Sequence, residues 1–303
     1  MSFMVLQGAV EQGLIYALVS LGIYISYRTL DIADLTTDGT FTLGAATSAI
    51  LTTLGHPVLG IFMAMVAGVL AGGVTALLQT KLRVQPILAG IITMTALYSI
   101  NLMVMGNKPN LPLLKNNTIF SMTENFLGKN YNKMIVIFIV IIIVSISLIV
   151  FLGTQLGLSI RATGDNRAMV AASSINPAFT VTVGLCLANS IVALAGALLA
   201  QYQRFSANDV GTGMVVIGLA SLIIGEVIVG RGGVKRCILG AIIGAILYRI
   251  IIAFAITSNV VSASNLKLFS AIIVAAAISY PAIKSAIAFR KQRKAGSTNV
   301  KTK

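Results

Sequence analysis

Between Ile135 and Leu152 the chain runs almost without a polar side chain, with only Ser145 and Ser147 interrupting it. An uncharged run of this kind approaches the roughly 20 apolar residues that a helix needs to cross the hydrocarbon core of a bilayer. The rest of the chain agrees. Only 10% of its 303 residues are charged and 57% are hydrophobic, with a mean hydropathy of +0.94. Soluble domains carry about 25% charged residues, so this chain has too few charges to wet the surface of a soluble globule. It reads as an all-α, polytopic integral membrane protein. Disorder, collagen, coiled coil and disulfide scaffold are excluded. Cys186 and Cys237 are too few for a disulfide framework, and His56 is the lone histidine, so no metal site is expected.

Nine membrane segments are expected, at roughly 5–27, 38–54, 58–80, 84–105, 134–153, 179–201, 212–230, 237–257 and 267–285. The second is short and follows Asp31, Asp34 and Asp38, which marks it as a broken or re-entrant element. Glu11 lies where a signal peptide would be apolar, so the first segment is read as a retained span. Residues 1–289 form one transmembrane domain, and the basic tail 290–303 is expected to be disordered. Gly68/Gly72 and Gly240/Gly244 have the spacing that lets helix backbones approach closely in lipid.

The net charge of +14 fits Lys and Arg collecting on the cytoplasmic side better than nucleic-acid binding, for no aromatic-basic interleaving is present. With the C-terminus inside and the N-terminus outside, fifteen basic residues fall inside and six outside. Arg28, Arg161, Arg167, Arg231, Lys235 and Arg236 are on the inner side in this arrangement.

Charges within spans are functional candidates by default. Glu11, Glu226 and Arg249 are the three. At 1.5 Å per residue, Glu11 and Arg249 lie roughly 9 and 12 Å below the same boundary, so they are expected to pair. Glu226 is expected to reach toward Arg231 or Lys235. A buried pair that holds helices together is favoured over a substrate role.

Catalysis is poorly supplied: no HExxH, no P-loop and no GxGD sequence is present. Two other stretches stand out. Leu30 to Gly44 carries three carboxylates and four threonines at the mouth of a membrane segment, and irregular backbone at that depth survives only where it faces protein or a watery cavity. A translocation path is therefore expected along Asp34, Thr36, Asp38, Gly39, Thr40 and Thr42, with Thr93, Ser99 and Asn101 of the fourth segment. The inner loop 154–178 is the second stretch. Asp165 is expected to cap a short helix over Arg167–Ser173 that Asn176 and Pro177 stop. Met169, Val170 and Ala172 give it an apolar side suited to docking in a groove. Gly164 is expected to permit a sharp entry turn.

At these residues the chain resembles the permease subunit of bacterial ABC importers of the branched-chain amino acid and ribose type. The resemblance covers about residues 10–285. It rests on LDIADLTTDGTFTLGAA, KLRVQPILAGIITMTALYSI, SIRATGDNRAMVAASSIN, ALAGALLAQ and GLASLIIGEVIVGRGGVKRCILGAIIGA, in that order. Glu226 departs from relatives that are small and apolar there. The resemblance implies a bacterial inner-membrane importer of a small polar solute, foremost an amino acid. It also implies a second permease copy, an external solute-binding protein and two ATP-binding cassette ATPases that hold ATP and magnesium, with no cofactor on this chain. Coupling to the ATPase would run through Arg161, Gly164, Asp165, Arg167, Met169, Val170 and Ala172. A gradient-driven secondary transporter or channel is the alternative.

Overall fold

The computed structural model describes residues 3–257 apart from 129, 130 and 231, and beyond them 268, 270–275 and 279. The tail 290–303 and most of the expected ninth segment lie outside the described residues. The remaining eight segments are all helices: α1 (Phe3–Ile23), α2 (Thr36–Thr53), α3 (Pro57–Thr80), α4 (Pro86–Val104), α6 (Asn132–Gly153), α9 (Pro177–Gln203), α10 (Met214–Val229) and α11 (Val234–Thr257). Shorter helices α5 (Ile119–Leu127), α7 (Gln155–Asp165) and α8 (Arg167–Ala172) connect them.

Among the described residues six helices are long and apolar enough to cross a bilayer: α1 with its extension to Thr29, α3, α4, α6, α9 and α11. The chain is thus an all-helical, polytopic membrane protein, but the expected nine spans are not all of that kind. Helix α10 has 16 residues and α2 is lowered in hydropathy by its threonines. Helix α2 is buried in the bundle, whereas α10 packs against α1 and α11 and leaves Val216, Val227 and Ile228 exposed.

Local sequence accounts for where the helices begin. Pro57, Pro86 and Pro177 occupy first-turn positions, where a missing N–H costs nothing. Asn176 accepts from the amide of Ala178 and so caps α9 rather than ending the helix before it. Thr118 and Ser121 form a capping box on α5. Two three-residue strands, β1 (Asn110–Pro112) and β2 (Phe205–Ala207), pair antiparallel with Leu111 opposite Ser206. They mark one face of the bundle, the hairpin face. Helices α7 and α8 mark the opposite end of α9.

Helices α1 and α9 form the centre. Leu18, Val19 and Leu21 are fully buried, as are Ala193, Ala195 and Ala197. Burial of apolar atoms offers little drive between helices in lipid, so close packing of small residues carries the association. Gly44 and Gly196 bring α2 and α9 into backbone contact, and Gly68 and Gly72 do the same for α3 against α9. Gly240 and Gly244 press α11 onto Gly225 and Ser221 of α10. Both glycine pairs anticipated from spacing are therefore helix contacts. Phe62, Leu70, Ile143 and Val150 project from α3 and α6 at 60% exposure or more, an outer surface made for hydrocarbon. At the hairpin face Gln201 ties three elements together: it donates to Ser48 Oγ at 3.0 Å and Pro57 O at 2.9 Å, and accepts from Ile119 N at 2.9 Å.

Candidate functional site

The first helix does not end cleanly. From Tyr24 to Thr29 it widens into a π-helix, then Leu30 N bonds to Ile25 O and Ile32 N to Ser26 O. Asp31 takes a left-handed φ of 55°, a conformation that short polar side chains tolerate best after glycine. Residues 30–35 are the break. The expectation of a broken segment over Thr36–Thr42 is corrected: those residues form the regular first turns of α2, because the break is completed before Thr36.

Asp34 fastens the break to α9. Its carboxylate accepts from Thr36 N at 2.9 Å and Asn189 Nδ2 at 2.7 Å. Asn189 lies roughly 18 Å along α9 from Pro177 and roughly 21 Å from Gln203, so the break sits at half height. Thr36 shares a 2.8 Å hydrogen bond with Thr75, which donates to Thr93 at 3.0 Å. These hydroxyls lace α2, α3 and α4 together. Asp34, Thr36 and Thr93, expected to line a path, are instead buried and spent on interhelix bonds. Thr40 is buried too, away from the cavity, and Ser99 faces out of the bundle.

A second irregular stretch meets the first. After β2 the backbone turns through residues 208–213 and starts α10 beside α2. Gly213, at φ 86°, supplies a turn that a side chain would resist. Asp38 then caps α10 from outside: Oδ2 accepts from Gly213 N and Oδ1 from Val215 N, each at 2.8 Å. Thr42 accepts from Gly211 N at 3.1 Å. Between these turns and α4 lies a cavity of about 230 Å³ lined by Asp38, Gly39, Thr42, Met94, Thr95, Tyr98, Asn101, Asn208 and Thr212. Four expected path residues, Asp38, Gly39, Thr42 and Asn101, line it. Met94, Thr95, Tyr98, Asn208 and Thr212 were missed. Asn208 was findable, as a polar residue between two apolar helices; Tyr98 and Met94 were hidden in the apolar pattern of α4.

The intramembrane charges pair differently from expectation. Glu11 accepts from Gln7 at 3.0 Å and Tyr202 OH at 2.9 Å, whereas Arg249 donates to Gln12 and lies 5.1 Å from the Tyr16 ring centroid. Matched depth was right, but adjacent residues on a helix point about 100° apart, and it is Gln12 that faces α11. Glu226 pairs with Arg28 at 3.0 Å, a partner not anticipated, and the expected partner Arg231 lies outside the described residues. The π-helix carries Arg28 to the flank of α10.

On the α7–α8 face, Asp165 is the last residue of α7, and Asn166 is the cap of α8, accepting from Met169 N at 3.0 Å. Gly164 is not an entry turn. It lies inside α7, where a Cβ would collide with Thr29 O. Val170 is buried, contrary to the outward direction expected; Arg161, Arg167, Met169 and Ala172 are exposed, Met169 at 57%. Thr163 and Thr180 share a 2.8 Å hydrogen bond that pins α7 to α9.

A polytopic bundle with two interrupted elements meeting at a cavity, and a short helix pair at one face, has the build of a membrane transport component. The chain belongs to the family described as branched-chain amino acid transport system, permease component, whose model matches residues 5–278. It is 36% identical over 266 residues to the tyrosine transport system permease protein of Clostridioides difficile, covering 88% of this chain and 87% of that one. An uncharacterized protein of Rickettsia prowazekii is 32% identical over 274 residues, covering 88% and 94%. The ribose import permease protein of Haemophilus influenzae is 24% identical over 215 residues, covering 69% and 66%. No solved structure matches the chain. The chain is the permease subunit of an ABC importer for small solutes, and the gradient-driven alternative falls away. Family membership implies ATPase and solute-binding partners.

Proposed function

We propose that this permease carries an amino acid inward through the cavity beside Asp38, driven by ATPase subunits that dock on α8. Two copies of the chain would stand side by side with two ATPases holding ATP and magnesium, and a solute-binding protein would deliver from outside. The hairpin face and N-terminus are then external, the α7–α8 face and C-terminus are cytoplasmic, and the expected ninth segment completes the crossings. The tyrosine transport relative supports the amino acid, and the excess of Lys and Arg supports the orientation.

One contact carries the coupling: Gly164 of α7 rests directly on the Thr29 carbonyl, where α1 gives way to the break. A push on α8 passes through α7 to the π-helix. From there Arg28 reaches α10 through Glu226, and Asp38 joins α2 to the other end of α10. A rigid chain of short contacts thus runs from the docking face to the cavity wall. The bistable element it biases is the break at 30–35.

Co-expression with the ATPase tests this reading. The ATPase should purify with the chain in stoichiometric amount, and solute-loaded binding protein should stimulate ATP hydrolysis. Met169→Asp should leave the permease inserted while abolishing both stimulation and transport. Normal transport by Met169→Asp at normal expression would remove α8 as the docking element.

A further inference from the structure

We propose that the cavity between α2 and α4 receives the ammonium end of the transported solute, an inference that rests on the amino acid reading above. The buried polar atoms there without a partner among the described residues are acceptors. Asn101 is 1% exposed; its Nδ2 donates to Gly39 O at 3.2 Å, and its Oδ1 has no partner among the described residues. Asn208 is 8% exposed; its Nδ2 reaches Tyr98 O at 3.5 Å, and its Oδ1 is likewise without a partner. Turning either amide over would give up the bond that its nitrogen makes. Buried acceptors without donors are uncommon in folded proteins, and here two line one small cavity.

The surrounding charge agrees. Asp38 contributes a carboxylate, and no Lys or Arg lines the cavity among the described residues. The positive end of α10 would attract anions, but Asp38 already occupies it through Gly213 and Val215. A carboxylate or phosphate entering here would find no cation and, apart from the exposed hydroxyls of Thr95, Tyr98 and Thr212, only acceptors. An ammonium brings three donors to two buried amide oxygens that lack a donor, beside a carboxylate and the exposed Tyr98, whose ring type favours cations. At about 230 Å³ the cavity is below the range of drug-sized ligand pockets and suits a small solute, its ammonium end toward the two asparagines. The remainder would extend toward Thr95 and Thr212, both exposed.

Site protection in the purified permease–ATPase complex in lipid nanodiscs, without solute-binding protein, tests the assignment. On a background of Cys186→Ser and Cys237→Ala, Thr212→Cys is reacted with a neutral methanethiosulfonate. L-tyrosine methyl ester keeps the ammonium and loses the carboxylate; N-acetyl-L-tyrosine does the reverse. The ester should slow the reaction several-fold and the N-acetyl compound should not. Asn101→Leu and Asn208→Leu should each remove the slowing. Equal slowing by both probes, slowing by neither, or slowing that survives both Asn→Leu changes overturns the proposal. The probe comparison on the unsubstituted asparagines stands even where a leucine variant fails to fold. Stimulation of the ATPase by loaded binding protein is read separately, so import by this permease can hold while the ammonium site fails.

Discussion

Asp38 accepts a 2.8 Å hydrogen bond from the backbone amide of Gly213, 175 positions further along the chain. A second bond, from Val215 N, uses its other oxygen. The carboxylate thus does for α10 what a local cap does for an ordinary helix, and it locks two interrupted elements end to side.

Asp38→Asn keeps one acceptor and loses the charge, so it should lower the thermal midpoint of the purified permease. Asp38→Ala should lower it further. A helix cap contributes about 0.5–2 kcal/mol, and a charge at a partly buried helix end up to about 2 kcal/mol. An unchanged midpoint for both variants would show that the cap adds nothing.

The Arg28–Glu226 pair should behave asymmetrically. The Glu226 side chain is 9% exposed and that of Arg28 is 43%. Arg28→Gln takes a cation away from a largely buried carboxylate, whereas Glu226→Gln takes an anion away from a cation that reaches water. Expression and transport should therefore suffer more in Arg28→Gln than in Glu226→Gln, with the double variant recovering part of the loss. Simple addition of the two effects would mean the pair is not coupled.

Glu11 should couple to Tyr202 more strongly than to Arg249. A double-mutant cycle of Glu11→Gln with Tyr202→Phe measures the first, and one of Glu11→Gln with Arg249→Gln the second. A larger coupling in the second cycle would contradict the hydrogen-bond partners described above.

The proposed docking role of α8 should separate from folding within two neighbouring residues. Val170→Asp buries an unpaired charge and should sharply reduce the amount of folded permease. Met169→Asp should not. Size-exclusion profiles of the two variants, run in parallel, check this. Gly164→Ala should also destabilise, by about 1–3 kcal/mol, the range seen for overpacking. It should impair transport even in the fraction that folds, because it forces α7 away from Thr29.

Much of the helical pattern was legible because apolar runs in a bilayer have few other uses. The segment anticipated at 134–153 became Asn132–Gly153, and that at 58–80 became Pro57–Thr80. The site was less legible, and rotation about helix axes explains most of the gap. Depth along a helix follows from counting; direction around it does not. Glu11 and Arg249 were matched in depth, yet Gln12 received the guanidinium. Asp165 and Asn166 are both good caps by type, and only the turn of the backbone decides that Asn166 is used. The threonines of 36–42 announced something unusual. Whether each hydroxyl faced a cavity or another helix depended on residues far off in the chain, such as Thr75 and Asn189.

The bond from Asn189 to Asp34 places the interruption midway along α9. The tie leaves roughly 18 Å of α9 on the α8 side and roughly 21 Å on the hairpin side. A tilt of α9 about that point would move its two ends by similar distances in opposite directions.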